Sequence, residues 1–181
     1  MQAFSKEAYT MEKYQIQFSG LKPGTYSFDF GLDDSFFEHY KIEDVSDSRI
    51  GVHVDLEKEE KLLIFRIDIS GTLVLVCDRC GDPLTEEING FQNLLVKLSD
   101  HYEEESEDVQ IIKESDGKYD FSQFLYESVR LMLPFHPVHG DDSRGKSLCN
   151  PEVLKKLEEL RESHNPDPRW EVLNKLKENN K

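Results

Sequence analysis

The sequence of 181 residues contains three cysteines, and the spacing of two of them predicts chemistry most directly. Cys77 and Cys80 form a C-x-x-C pair after an apolar run at residues 72–76, and Gly81 and Pro83 follow the second thiol. Two intervening residues let both sulfurs face one point, and a glycine tolerates the backbone that turns amide N–H groups toward them. This is the spacing of a zinc knuckle, which supplies two ligands of a tetrahedral site.

Two further ligands must come from elsewhere in the chain, and Cys149 is the remaining cysteine. The predicted fourth ligand is His139, with His136 as its substitute, because both lie in a Pro-, Gly- and Asp-rich stretch shortly before Cys149. Four protein ligands fill a tetrahedral shell and leave no position for an activated water. We therefore predict a structural zinc site at Cys77, Cys80, His139 and Cys149, which would hold the C-terminal segment to the sheet.

A bare C-x-x-C pair also allows simpler interpretations. The thiols and histidines can occur in a reducing compartment without any common role. Alternatively, Cys77 and Cys80 form a redox-responsive disulfide. Redox dithiols normally lie at the start of a helix, where the positive helix end stabilises the thiolate, and Gly81 and Pro83 disfavour a helix here.

An enzyme is the alternative of a different class. A hydrolase or nuclease would hold an open metal site with His136, His139 and Asp141 or Asp142. Signatures of P-loop nucleotide binding, dinucleotide binding, zinc metalloproteases and serine hydrolases are missing, so catalysis has no positive support in the sequence. We predict a non-enzymatic protein.

Two single residues are candidate contacts for a partner. Arg79 lies between the two thiols, where its cation either stays in solvent or meets RNA phosphate or a partner carboxylate. Trp170, with Leu173 and Leu176 at helical spacing, either packs on its own domain or anchors a tail helix in a partner's groove.

The charge distribution restricts the partners. The formal net charge is −15, and residues 141–181 carry nine acidic and nine basic side chains, so all of the excess negative charge lies in residues 1–140. Because affinity for nucleic acid comes largely from Lys and Arg displacing counterions, broad RNA or DNA binding is not expected. Three cysteines without an apolar signal peptide, and no apolar run near 20 residues, predict a cytoplasmic protein without membrane contact.

Alternation of apolar and polar residues predicts most of the fold. Strands are predicted at residues 14–18, 26–30, 50–56, 63–69, 72–76, 91–98 and 109–112, with a hairpin joining the third and fourth. The segment from Asp120, with Gln123 as partner in a capping box, has helical spacing until Pro134. Asn150 followed by Pro151, and Asp167 followed by Pro168, predict two short C-terminal helices.

These elements predict an α+β fold. Its core is an antiparallel β-sheet or partly open barrel, covered by one long packing helix and followed by the two short helices. The predicted domains are a β-rich core with one helix at residues 1–140 and a helical C-terminal extension at residues 141–181.

The combined motifs resemble the YceD family of bacterial ribosome-assembly proteins. The resemblance covers roughly residues 60–176 and rests on C-D-R-C at residues 77–80, L-M-L-P-F-H-P-V-H at 131–139, Cys149, and D-P-R-W at 167–170. It implies a role in accumulation or processing of large-subunit (23S) ribosomal RNA. The implied partners are the large-subunit precursor or ribosomal proteins, with at most a narrow RNA contact around Arg79.

Overall fold

The computed structural model describes residues 12–42, 44–99 and 109–162. In chain order these residues form β1 (Gln15–Gln17), β2 (Gly24–Leu32), α1 (Asp34–His39), β3 (Val45–Lys58), β4 (Leu62–Val76), β5 (Pro83–Leu98), β6 (Val109–Ile112), β7 (Lys118–Asp120), α2 (Ser122–Met132) and α3 (Pro151–Glu162). The helix predicted after Pro168, including Trp170, lies outside the described residues.

Two compact units divide the chain. The first comprises Met1–Val76 and Pro83–Pro137, and the second comprises Cys77–Asp82 and Val138–Lys181. All the strands above belong to the first unit together with α1 and α2, while the second contains the loop between β4 and β5 and helix α3. The domain boundary predicted at residue 140 stays a prediction.

The core of the first unit lies on one face of a five-stranded sheet with the order β2-β3-β4-β5-β6. The predicted hairpin of residues 50–56 and 63–69 is confirmed as part of β3 and β4, which pair antiparallel with Val54 opposite Ile67. Because side chains alternate across a strand, the apolar positions of both strands share one face. The buried members are Ile50, Val52, Val54, Leu56, Leu63, Phe65, Ile67 and Ile69.

The direction of the last strand corrects the predicted sheet type. β6 runs parallel to β5, with Leu95 opposite Val109, so the sheet is mixed rather than antiparallel. Side chains alternate with a period of two in parallel and antiparallel strands alike, so the sequence could not reveal the direction of β6. β2 and β6 are the edge strands of this sheet, and within the described residues the sheet does not close into a barrel.

Strand β4 is longer than predicted. The sequence predicts two separate strands at residues 63–69 and 72–76. The structure instead shows one strand of 15 residues. Gly71 lies opposite Ile50, and the register of β3 shifts just beyond this pair, between Ser46 and Arg49. A Cβ on Gly71 would lie 2.2 Å from the Arg49 carbonyl oxygen, so the glycine permits a close backbone approach rather than ending the strand.

The strand predicted at residues 14–18 is confirmed as β1, but it lies outside the large sheet. It pairs antiparallel with β7, with Ile16 opposite Tyr119. The ring of Tyr14 and the side chains of Ile16 and Phe18 are buried in the core. Helix α1, which begins at Asp34, was not predicted, because its six residues are too few to display a helical period.

The predicted long helix is confirmed as α2, whose residues Leu125 and Val129 are buried in the core. Its start differs from the predicted capping box. The capping position is Phe121, and the Asp120 carboxylate accepts a hydrogen bond from the Ser122 backbone N–H at 2.9 Å. Gln123 hydrogen-bonds to Glu127 along the helix instead of reaching back to the cap.

None of the described helices is long and apolar enough to cross a membrane.

A methyl group at residue 71 tests the close approach of β3 and β4. We expect Gly71→Ala to lower the free energy of unfolding by more than about 1 kcal/mol, because the new Cβ would overlap the Arg49 carbonyl. Gly51→Ala is the matched control, since its nearest atom, the Ser70 carbonyl oxygen, is 3.8 Å away. Urea unfolding measures both. Equal losses in the two variants would show that the contact at Gly71 has no special role.

Candidate metal centre

The first half of the centre is the loop Cys77–Asp82 between β4 and β5. The Cys77 N–H donates to the Asp82 carbonyl at 3.0 Å, and the Gly81 N–H donates to the Cys77 carbonyl at 2.8 Å. Gly81 has a φ of +78°, in the left-handed region that favours glycine. The unusual backbone conformation predicted at Gly81 is therefore confirmed.

The second half is a closed loop between His139 and Cys149. The Leu148 N–H donates to the Gly140 carbonyl at 2.9 Å, so residues ten apart in sequence become neighbours in space. The tip of the loop is held by Asp142, whose carboxylate accepts the backbone N–H groups of Arg144 and Lys146 at 2.8 and 2.9 Å. This closure explains how a histidine and a cysteine from an irregular segment reach one site.

The four predicted ligands converge. One ligand atom from each of Cys77, Cys80, His139 and Cys149 lies within 4.8 Å of the other three. The Cys77 and Cys149 sulfurs are 3.9 Å apart, and the Cys80 sulfur is 3.5 Å from His139 Nδ1. Bond lengths of about 2.3 Å for sulfur and 2.1 Å for nitrogen give tetrahedral edges of roughly 3.8 Å and 3.6 Å. The two measured distances fit such a shell.

The composition of the cluster also suits a metal ion. Its three cysteines are buried free thiols, and the histidine is half-buried. Thiolate sulfur and imidazole nitrogen together are typical ligands of zinc and other thiophilic ions. Among the described residues, no other group of three or more His, Cys, Asp and Glu side chains has this proximity. His136, the predicted substitute, is not a member of the group.

The backbone around Cys77 favours the thiolate form. Burial raises the pKa of this thiol, but backbone N–H groups of His139, Cys80 and Arg79 donate hydrogen bonds to its sulfur, and His139 adds a side-chain bond. The hydrogen bonds outweigh burial and lower the pKa of Cys77 from 9.0 to about 6. Metal ions bind the thiolate, so this backbone arrangement prepares the sulfur for coordination.

Asp141 and Asp142, the acids of the open metal site in the enzyme alternative, make contacts outside the cluster of cysteines and His139. Asp142 holds the loop tip, and Asp141 forms an antiparallel bridge with Ser147. His139 lies with the three cysteines, and the group contains neither aspartate. The arrangement supports a four-ligand cluster rather than the His–Asp site on which the enzyme alternative depends.

Arg79 and Asn150 add polar contacts around the cluster. Arg79 is exposed, and its Nη1 lies 3.3 Å from Ser147 Oγ and 3.9 Å from the Cys149 sulfur. The Asn150 side chain donates to Asp82 at 3.1 Å and accepts the Glu152 backbone N–H at 3.0 Å. The sequence predicted Asn150 as the helix cap, which is confirmed, but nothing in the spacing indicated its bond to Asp82. Trp170, the other predicted contact, lies outside the described residues.

Two short loops that gather three buried cysteines and one histidine define a protein with a candidate Cys3His metal cluster. The chain belongs to the YceD family, because the family model described as large ribosomal RNA subunit accumulation protein YceD matches residues 65–177. All four cluster residues lie inside this range, and membership implies a role in large ribosomal RNA subunit accumulation. No curated protein and no solved structure gives a significant match.

Substitutions of Asn150 test how the cap of α3 supports the second unit. We expect Asn150→Ala to lower the free energy of unfolding by about 1 to 2 kcal/mol, because it removes both the cap and the bond to Asp82. Asn150→Ser keeps a capping oxygen and should lose less. Chemical denaturation followed by circular dichroism compares the two. Equal losses would mean that the cap contributes nothing.

Proposed function

We propose that this protein is a non-enzymatic ribosome-biogenesis factor that promotes accumulation or processing of large-subunit (23S) ribosomal RNA in bacteria. The observation that carries this proposal is the family match over residues 65–177, a range that includes both loops of the metal cluster. A factor of this kind acts by binding an assembly intermediate, and a four-ligand cluster is compatible with such a role because it requires no open coordination position.

We further propose that Cys77, Cys80, His139 and Cys149 bind one structural zinc ion. Three thiols and an imidazole match the Cys3His class of structural zinc sites. Bound zinc would displace the protons of the three thiols, be coordinated by the resulting thiolates and His139, and join the two loops of the second unit. Structural zinc contributes about 10 to 16 kcal/mol to the folding of finger peptides, so even a fraction of this would matter to a small unit.

The partners follow from charge and from the family. A net charge of −15 repels phosphate, so the proposed contacts are ribosomal proteins of the large-subunit precursor together with a narrow RNA contact. Arg79 is a candidate for that contact because it is exposed beside the cluster, and Trp170 is a second candidate contact. The proposed location is the cytoplasm, with no membrane or DNA partner.

Metal analysis of two histidine variants tests the zinc proposal. Protein purified from zinc-containing medium without chelators should hold about one zinc ion per chain. His139→Ala should lose most of this zinc and melt at a lower temperature, because one of four ligands is missing. The control, His136→Ala, should keep it, since His136 is not in the cluster.

A chain that binds no zinc, or a His139→Ala variant that binds as much as wild type, would rule out the proposed site. Cys80→Ser provides a second check, and its melting temperature should fall with its zinc content.

Depletion of the protein in its host tests the biological role. We expect the ratio of mature large-subunit to small-subunit RNA to fall, with precursor particles in a sucrose gradient. Wild-type protein should restore the ratio, while Cys80→Ser should restore it only in part if zinc maintains the fold of the second unit. An unchanged ratio and a normal subunit profile after depletion would contradict the proposed function.

A further inference from the structure

Arg79 contacts both halves of the metal cluster, although it belongs to the loop Cys77–Asp82 alone. Its backbone N–H donates a hydrogen bond to the Cys77 sulfur inside this loop. Its side chain extends to the loop between His139 and Cys149, where Nη1 lies 3.3 Å from Ser147 Oγ and 3.9 Å from the Cys149 sulfur. One residue therefore reaches two thiols, whose sulfurs are themselves 3.9 Å apart.

Ser147 holds the guanidinium group beside Cys149. The Ser147 hydroxyl oxygen accepts a hydrogen bond from Arg79 Nη1 and a second one from the Cys149 backbone N–H, both at 3.3 Å. Ser147 also forms an antiparallel bridge with Asp141, which fixes its place in the loop. The approach of the cation to the Cys149 sulfur is thus set by hydrogen bonds within the second unit.

The proposed zinc site has a charge that this contact would offset. Three thiolates and one neutral imidazole around a divalent ion leave an excess of negative charge. Such a charge is costly in a buried site unless a donor or a cation lies beside it. The three cysteines are buried, whereas Arg79 is exposed. The cation can therefore compensate the cluster from its solvent side without losing its own hydration.

The thiols differ in the kind of donor that they receive. The Cys77 sulfur accepts hydrogen bonds from the backbone N–H groups of His139, Cys80 and Arg79. The Cys149 sulfur is contacted by a side-chain cation. A substitution at residue 79 can remove this cation while the backbone N–H groups remain, so the two kinds of donor are experimentally separable.

We propose that Arg79 is a positioning residue of the zinc site, whose guanidinium group stabilises the Cys149 thiolate, strengthens zinc binding and lowers the reactivity of that sulfur. The inference rests on the proposed zinc ion, but it requires no bound partner. It is therefore separate from the RNA contact proposed for the same residue. A guanidinium group has several N–H donors, so contact of Nη1 with the cluster leaves others for a phosphate.

The zinc affinity of two Arg79 variants tests this role. Arg79→Gln keeps the backbone N–H to Cys77 and removes the cation beside Cys149, so we expect the dissociation constant for zinc to rise about threefold to tenfold. Arg79→Lys keeps the charge and should lose less. The control, Arg144→Gln, removes an exposed cation of the same unit and should bind zinc as wild type does. Competition of each purified protein with a chromophoric chelator, without RNA, gives the four affinities.

Alkylation of the zinc-loaded proteins by iodoacetamide identifies the thiolate on which Arg79 acts. A thiolate that loses a hydrogen-bond donor becomes more nucleophilic, so Cys149 of Arg79→Gln should react several times faster than Cys149 of wild type. Cys80 should react at an unchanged rate. Mass spectrometry of the digested protein measures the rate at each cysteine in excess zinc. A side chain that only supported the fold of the second unit would accelerate all three cysteines together.

Three results would overturn the assignment. These are a zinc affinity that Arg79→Gln does not alter, a loss of affinity in Arg144→Gln as large as that in Arg79→Gln, and equal acceleration of all three cysteines. If wild-type protein binds zinc and the Arg79 variants match it, the role of Arg79 alone fails. If wild-type protein binds no zinc, the zinc proposal fails with it, while the depletion experiment still reports on the biological role.

Discussion

The pairing of β4 with both of its neighbours is the constraint on which the first unit depends. This strand runs for 15 residues and is antiparallel to β3 on one side and β5 on the other. A slip of one residue would turn its apolar face toward solvent, so burial of that face fixes the register. The register in turn places Val76 opposite Pro83. The two ends of the loop Cys77–Asp82 are therefore separated only by the distance between neighbouring strands. The close approach at Gly71 keeps the strand continuous up to that point.

The candidate metal cluster depends on two local closures and on the contact between the two loops that they form. The loop Cys77–Asp82 presents two thiols, and the loop closed between Gly140 and Leu148 presents His139 and Cys149. Each closure is maintained by backbone hydrogen bonds and by a glycine in the left-handed region, Gly81 in the first loop and Gly145 in the second. Because each loop presents two candidate ligands, all four come together when the two loops meet. This division reduces the entropy that ordering the ligands would otherwise cost.

The alternation of apolar residues was sufficient to predict the hairpin of β3 and β4, and the helical period was sufficient for α2. The proximity of Cys77, Cys80, His139 and Cys149 was predictable because the thiol spacing, the need for a fourth ligand and the few candidate residues left little choice. Other features depend on information that local sequence does not contain. The direction of β6 leaves no trace in the alternation of its apolar residues, and the close approach of Gly71 to the Arg49 carbonyl joins residues that are distant in the sequence.

The order in which the ligands are synthesised has a consequence for how the cluster forms. Cys80 precedes His139 by 59 residues, and Cys77 precedes Cys149 by 72. At translation rates of about 5 to 20 residues per second, several seconds separate the two halves. During this interval the nascent chain presents only two of the four candidate ligands. The full set of four candidate ligands is therefore available only after Cys149 has been synthesised.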